Sequence, residues 1–425
     1  MSLLFAQGSP TTVLSDADLA QAIRSSLAKL SAPRRVLAIP PDITRLNSKA
    51  GVLTGAIARE LGAALSDVLP ALGTHVPMSA TQISRMYPGV DPALFRVHDW
   101  RRDVVTIGTI PVHEVEAATE GLWHEPWPAQ LNRLIWQGGH DLILSIGQVV
   151  PHEVAGMANG TKNLFIGCGG ADGINESHFI GAAYGMERMM GRADTPVRRL
   201  LDLALTRFCQ HLNIIFIQTV IGADAQGNLV TRGLYIGAGT EPFRAAAALS
   251  LQVNFQLLEE QPMKMVVSLD PEEFHTTWLG NKAIYRTRMA IGDGGELVIL
   301  APGLSGFGED PEIDRLIRAY GYRTTPQIMA ALGSSAELKR NLSAAAHLIH
   351  GSSEGRFLVT YCPGHLTRAE IEGVGYQWGD LAAAQARYQP QGRRDGWHTV
   401  GGERCYFISN PALGLWSWKG RFQSS

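Results

Sequence analysis

Apolar and polar positions follow two different periods along this chain. In "SDADLAQAIRSSLAKL" the apolar residues recur at helical spacing behind Ser15 and Asp18, which stand at capping-box distance, and the pattern predicts a first helix. "RRVLAIPPDITR" changes to a short continuous apolar run that ends in polar residues, which predicts a buried strand followed by a loop. The same grammar returns in "SDVLPALGTHVPMS", "HDLILSIGQVVPHE" and "LNIIFIQTVIGA". Strands separated by helical segments predict a parallel α/β sheet. Ligands of such sheets collect beyond the carboxyl ends of the strands, and Asp42, Thr44, Arg45, His75 and His152 each follow a predicted strand directly.

Between residues 240 and 270, "EPFRAAAALSLQVNFQLLEEQ" reads as a long helix joining two domains. A second series follows, with "MKMVVSLD", "GELVILAPG", "GRFLVTYCPG" and "RCYFISNP" as strands and helical periods between them. The expected organisation is two α/β domains, each three layers around a largely parallel sheet. The boundaries fall at residues 1–255 for the first domain, 256–272 for a helical linker and 273–405 for a smaller second domain. Residues 406–425 are expected as a tail packing back on the first domain.

Composition narrows the function. A chain of 425 residues, 45% of them hydrophobic, is long enough for two separate cores. Acidic and basic residues nearly balance at 39 against 37, and no basic run stands out, so the sequence offers no footprint for nucleic acid or an anionic membrane. A small-molecule partner is expected instead. Cys168, Cys209, Cys362 and Cys405 lie far apart, without CxxC spacing or the density of a disulfide framework, and read as reduced thiols. The start "MSLLFAQGSPTT" lacks the basic segment of a signal peptide and no stretch reaches the length of a membrane span, so the expected compartment is the cytoplasm.

The most informative stretch is "VVPHEVAGMANGTKNLFIGCGGADGINESHFIG", which places His152, Lys162 and His178 ten and sixteen residues apart. That spacing is unlike the short paired histidines of zinc hydrolases. The glycines between them can let backbone amides close on an anion, although neither GxGxxG nor GxxxxGK[ST] occurs, and a mobile surface loop with a solvated lysine gives the same pattern. Asp42 and Arg45 taken alone read as a helix cap and a surface charge.

Taken together, "PPDITR", "GTH", "PHEVAGMANGTKN", "ESHFIG" and "NKAIYRTRMAIGDGGELVILAPG", in that order over residues 35 to 310, resemble the lactate racemase superfamily of nickel-dependent 2-hydroxyacid racemases and epimerases. The resemblance implies a nickel-pincer nucleotide, a nickel-bearing pyridinium bisthiocarboxylic acid mononucleotide, attached covalently to Lys162 and built by separate cofactor-biosynthesis enzymes. It implies that His178 completes the nickel coordination, that Thr44, Asn159 and Gly160 line the cofactor, and that the active site lies in the cleft between the two domains. The implied reaction inverts C2 of a 2-hydroxy acid by hydride transfer to and from the cofactor through a 2-keto acid. His75 and His152 match the two acid/base groups, Asp42 would orient or stabilise a histidine, and Arg45 and Lys282 would bind substrate. Histidine suits the proton transfers because its ordinary pKa of about 6.5 lets it accept and return a proton near neutrality.

Three departures from the family pattern bear on the substrate. "LNSKAG" follows the Asp-x-x-Arg motif where prolines are common, Asn159 precedes Gly160 where the family has two glycines, and Trp278 and Leu279 replace a tyrosine and glutamine. The last change removes a glutamine hydrogen bond proposed for lactate, so the expected substrate is a sugar acid or a larger or broader set of 2-hydroxy acids. Trp278 would stack on a sugar-acid chain while Asn281, His275 or Asn47 bond its hydroxyls, or would line an apolar pocket, or would simply pack in the interior. Two rival readings keep the same residues: a zinc-dependent hydrolase using His75, His152 and His178 with Asp42, and a non-catalytic carboxylate-binding protein using Arg45 and Lys282.

Overall fold

The computed structural model describes residues 3–224 and 226–423. Both of its compact units are α/β: one runs to Ile180 and adds Met189–Asn254, the other takes Gly181–Arg188 and continues from Phe255.

In the first unit the strands are β1 (Leu3–Gly8), β2 (Val36–Ile39), β3 (Leu65–Val68), β4 (Val104–Ile110), β5 (Trp127–Asn132), β6 (Leu142–Gln148), β7 (Pro151–His152), β8 (Gly156–Met157), β9 (Ile214–Ala223) and β10 (Leu229–Ala238). Six of them form one sheet in the order β1-β10-β9-β6-β2-β3. The neighbours from β9 to β3 are parallel, while β10 runs antiparallel to both β9 and β1. That mixed edge follows from the five residues between β9 and β10, a connection long enough for a hairpin and too short for a crossover. β2 and β6 are apolar and buried along nearly their whole length because helices cover both faces. Leu19 and Ile23, Leu53 and Ile57 come from the helices Asp16–Leu27 and Ala50–Leu61 to cover Ala38, Leu144 and Ile217. On the other face Phe243, Ala246 and Leu249 of Glu241–Asn254 cover Val149, Val220 and Tyr235. The predicted capping box forms at the first helix, Ser15 accepting from the Asp18 N–H and Asp18 from the Ser15 N–H.

The second unit contains β11 (Phe255–Leu258), β12 (Lys264–Ser268), β13 (Glu296–Ala301), β14 (Leu358–Pro363), β15 (Gln377–Trp378), β16 (Gly396–Val400), β17 (Glu403–Ile408) and β18 (Leu415–Trp418). Its six-stranded sheet runs β15-β14-β13-β12-β17-β16, parallel except for the last pair. Val266, Val298, Leu300, Cys362 and Phe407 form part of its core.

Two expectations change here. The helix before the second domain ends at Asn254, and the stretch expected as a helical linker holds β11 and β12. β11 pairs in parallel with β18, so its conformation depends on a partner far along the chain, which no local period reveals. For the same reason residues 406–425 are not a tail of the first domain: β18 belongs to the second unit.

Among the described residues no helix is long and apolar enough to cross a membrane. All four cysteines are buried free thiols.

Candidate active site

β3, β2 and β6 lie side by side and parallel, so the loops that follow them emerge at one edge of the sheet. The loop after β2 carries Asp42, only 4% exposed. The loop after β3 carries His75, whose Nδ1 lies 2.6 Å from Asp42 Oδ2. The other carboxylate oxygen accepts from the Thr44 hydroxyl at 2.5 Å, and the buried Tyr87 hydroxyl donates to the Pro41 carbonyl beside it. Burial pushes the Asp42 carboxyl up, but the His75 and Thr44 hydrogen bonds and the charges of His75 and Arg45 outweigh it and hold the group below its ordinary value. An ionised Asp42 accepts the Nδ1–H of His75 and leaves Nε2 as the basic atom of an exposed imidazole. Thr44, expected against the cofactor, is therefore committed to Asp42. The Arg45 side chain makes no hydrogen bond or ion pair with the described residues, and its charge acts on both Asp42 and Lys162.

The segment after β6 is held from several sides. Asn163 donates to the Ile39 carbonyl and to Ser145 Oγ, both at 3.0 Å, which pins the short helix Thr161–Phe165 across the ends of β2 and β6. Asn159 and Gly160 both take positive backbone angles, with φ of 63° and 61°. At Gly160 a side chain would meet the Phe243 ring at 2.9 Å. The Gly160 N–H donates to Gln218 Oε1 at 3.2 Å, a partner announced in the sequence only by two polar residues inside the apolar run "IIFIQTVIGA". Lys162 follows this turn. Burial and then the Arg45 charge bring its ammonium down to about 8, so roughly a tenth to a fifth of the amine is neutral near physiological pH.

His178 lies on the helix Ala171–Tyr184 and donates its Nδ1–H to the Ile174 carbonyl at 2.7 Å. Burial lowers its pKa to about 4. Neutral, with Nδ1 occupied, this imidazole offers the Nε2 lone pair, the state a metal ligand requires. The turn leading into that helix is fixed by His98, which is buried, bonds the Gly169 carbonyl through Nε2 at 3.0 Å and accepts from Asn132 Nδ2 at 2.9 Å.

His152, 7% exposed, accepts the Val154 N–H through Nδ1 at 3.1 Å and lies 3.8 Å from the Glu153 carboxylate. A neutral His152 in that arrangement carries its proton on Nε2. The charges of Glu153 and Asp42 act on Lys162, and those of Lys162, Glu153 and His75 act on His178, so the first unit brings most of the expected residues within electrostatic reach of one another. Glu153 was not singled out in the sequence; its position beside His152 was the available signal.

These residues fit a nickel-pincer nucleotide by their chemistry. The Asn159 side chain, 7% exposed, has neither amide end paired, and Gln218 Nε2 is likewise buried without a partner. Among the described residues no group of three or more His, Cys, Asp and Glu is placed to hold a metal ion. With His178 as a single imidazole donor, a metal there needs a non-protein ligand to supply the rest of its coordination. A zinc centre built from the three histidines and Asp42 is not what the side chains form.

Lys282, Trp278 and Asn281 belong to the second unit. The Lys282 Nζ lies 3.7 Å from the Glu273 carboxylate. Trp278 is half-buried against His347, ring centroids 4.4 Å apart. Asn281 is wholly buried: its Oδ1 accepts from the Tyr361 and Tyr376 hydroxyls at 2.9 and 3.2 Å. It therefore cannot bond substrate hydroxyls, and satisfies buried tyrosines instead. His275 and Asn47 remain exposed.

Residues 12–189 match the family model described as the lactate racemase N-terminal domain. The first domain belongs to that family. Two solved structures share the fold of the whole chain. One is a protein from Thermotoga maritima, 22% identical, with a TM-score of 0.81, covering 97% of this chain and 100% of its own. The other is the lactate racemase apoprotein from Thermoanaerobacterium thermosaccharolyticum, 15% identical, with a TM-score of 0.71, covering 97% of this chain and 94% of its own. A comparison with curated proteins gives no match.

Proposed function

We propose that this chain is a racemase or epimerase that inverts C2 of a 2-hydroxy acid with a nickel-pincer nucleotide tethered to Lys162. The observation that carries the reading is the pairing, within a lactate racemase N-terminal domain, of an Asp42-oriented His75 with a neutral His178 whose Nε2 is left as a lone pair. Lys162, His178 and Asn159 would hold the cofactor, and when bound it would supply a reversible hydride acceptor. Arg45 binds the substrate carboxylate as an otherwise unengaged cation, with Lys282 as a second anion contact. His75 takes the hydroxyl proton at Nε2, and Asp42 stabilises the imidazolium that results. His152, protonated on both nitrogens and so parted from the Val154 N–H, would return a proton from Nε2 to the oxygen as C2 is rebuilt with the opposite hand. The proton left on His75 restores the starting state by exchange with solvent. For the opposite enantiomer the two histidines exchange roles, and His152 then carries its single proton on Nδ1, again parted from the Val154 N–H.

The substrate is then a 2-hydroxy acid other than lactate alone, because Trp278 and Leu279 replace the tyrosine and substrate-bonding glutamine that the family resemblance implies there. With Asn281 enclosed, hydroxyl recognition in a sugar acid falls to other groups.

The test is the intact mass, peptide map and nickel content of the chain co-produced with cofactor-building enzymes, followed by a chiral screen of 2-hydroxy acids. A nucleotide-sized adduct on Lys162 with about one nickel per chain is the expected result. An unmodified Lys162 in protein made alongside active cofactor-building enzymes would overturn the reading.

A further inference from the structure

Arg198 is a buried charge that the proposed reaction does not use. Arg198, on the helix Pro196–Phe208, is 2% exposed and aims its guanidinium at the turn that precedes Lys162. Nη2 donates to the Met157 carbonyl at 2.7 Å, and Nη1 to the Asn159 carbonyl at 3.0 Å and the Thr161 hydroxyl at 2.8 Å. The Thr161 hydroxyl donates in turn to Asp202 Oδ1 at 2.6 Å. Arg198 and Asp202 stand four residues apart on one helix and face each other through Thr161. The Phe243 ring closes the guanidinium from one side, 3.9 Å from Cζ.

A lone guanidinium in such a place is costly, and a fork that satisfies two carbonyls and a hydroxyl offsets that cost only if the turn keeps one shape. The Gly160 N–H bond to Gln218 and the Asn163 side chain hold the same segment, and the Arg198 fork adds the bonds to the Met157 and Asn159 carbonyls. Asn159, a non-glycine residue, holds a positive φ of 63° and is followed at once by Gly160 at φ 61° and ψ −138°, a strained backbone pair that persists only where bonds around it hold it. The clamp touches residues 157, 159 and 161, and the tether lysine is the next residue.

Resting on the proposed cofactor reading, we infer that Arg198, relayed through Thr161 to Asp202, is the positioning residue that holds Lys162 in place for attachment of its nucleotide. Thr161→Val keeps the side chain's shape and removes both hydrogen bonds of the relay, whereas Thr161→Ser keeps them. Arg198→Gln removes the charge and most of the fork.

Two measurements on the full-length chain test this. In protein made without cofactor, amide hydrogen exchange across residues 157–163 speeds up about tenfold in Thr161→Val and Arg198→Gln and stays at the wild-type rate in Thr161→Ser, a loss of about 1.4 kcal/mol of local protection. In protein co-produced with the cofactor-building enzymes, the adduct fraction by intact mass falls about fivefold or more in Thr161→Val and is restored in Thr161→Ser. Unchanged exchange and full loading in a folded Thr161→Val chain overturn the inference, and Thr161→Val supplies that outcome even if Arg198→Gln does not fold. Absence of adduct in the wild-type chain is instead the failure of the cofactor reading, and leaves the exchange measurement to decide the clamp.

Discussion

His75 is exposed and would be unremarkable without Asp42, whose buried carboxylate decides which of its nitrogens carries the proton. Asp42→Asn keeps the size of the side chain but offers the ring an amide, which can reverse the tautomer and put N–H where the base should be. Racemisation by nickel-loaded Asp42→Asn is expected to fall about 100-fold or more, with the adduct on Lys162 unchanged; optical rotation against time measures the first and intact mass the second. A rate equal to wild type would show that Asp42 does not orient the base. Asp42 and His75 were both legible because each directly follows an apolar strand, but their contact was not, since 33 residues separate them. The orphan amide of Asn159 and the enclosure of Asn281 were legible to no degree, because hydrogen-bond partners are set by chain segments that sequence distance does not order.

At the scale of elements, the glycines of "GCGG" record how closely chain segments approach. A side chain at Gly169 would meet the Phe165 carbonyl at 1.8 Å, and one at Gly170 the Gln130 amide at 2.4 Å. His98 closes the same turn through the Gly169 carbonyl, and burial holds its pKa below the ordinary 6.5. The unfolded chain therefore binds a proton here at a pH where the folded chain does not. His98 contributes its full stability above about pH 6.5, and that contribution declines as pH falls toward the lower folded value. His98→Ala is expected to cost about 1–3 kcal/mol, by leaving Asn132 and the Gly169 carbonyl short of a partner, and to flatten the acid side of the stability curve; urea titrations at pH 5 and 7.5 measure both. A variant as stable as wild type at both values would assign the turn's stability elsewhere.

At the scale of the molecule, the chain does not divide at a single point. Gly181–Arg188 begins within the last turn of the helix that carries His178 yet belongs to the second unit, where Glu187 accepts from Arg356 and lies 3.5 Å from Arg288 Nε. Arg288 is 4% exposed. Removing its carboxylate partner leaves a buried cation poorly paired, so Glu187→Ala is expected to destabilise the second unit by about 2–4 kcal/mol, read as a lowered denaturation midpoint by a probe confined to that unit, such as amide exchange in β12 and β13. A chain cut at residue 255 loses the same carboxylate and should show the same weakness in its second part. An unchanged midpoint in Glu187→Ala would mean that Asp293 and the backbone carbonyls already satisfy Arg356, and Ser352 satisfies Arg288.

Lys162 and His178 became candidates only through the family resemblance, whereas the α/β class, most of the strands and the strand-following positions of Asp42, His75 and His152 followed from the periods of the sequence itself. The latter are written locally: a two- or 3.6-residue period marks an element, and a polar residue directly after an apolar strand marks a loop at its end. Only the tertiary structure decided that β10 turns the first sheet mixed, that β11 is a strand rather than part of a linker, that Asn281 serves tyrosines, and that Arg198 grips the turn before Lys162. These depend on partners distant in sequence, where pairing energy and the cost of burying an unpaired polar group, rather than local preference, select the conformation.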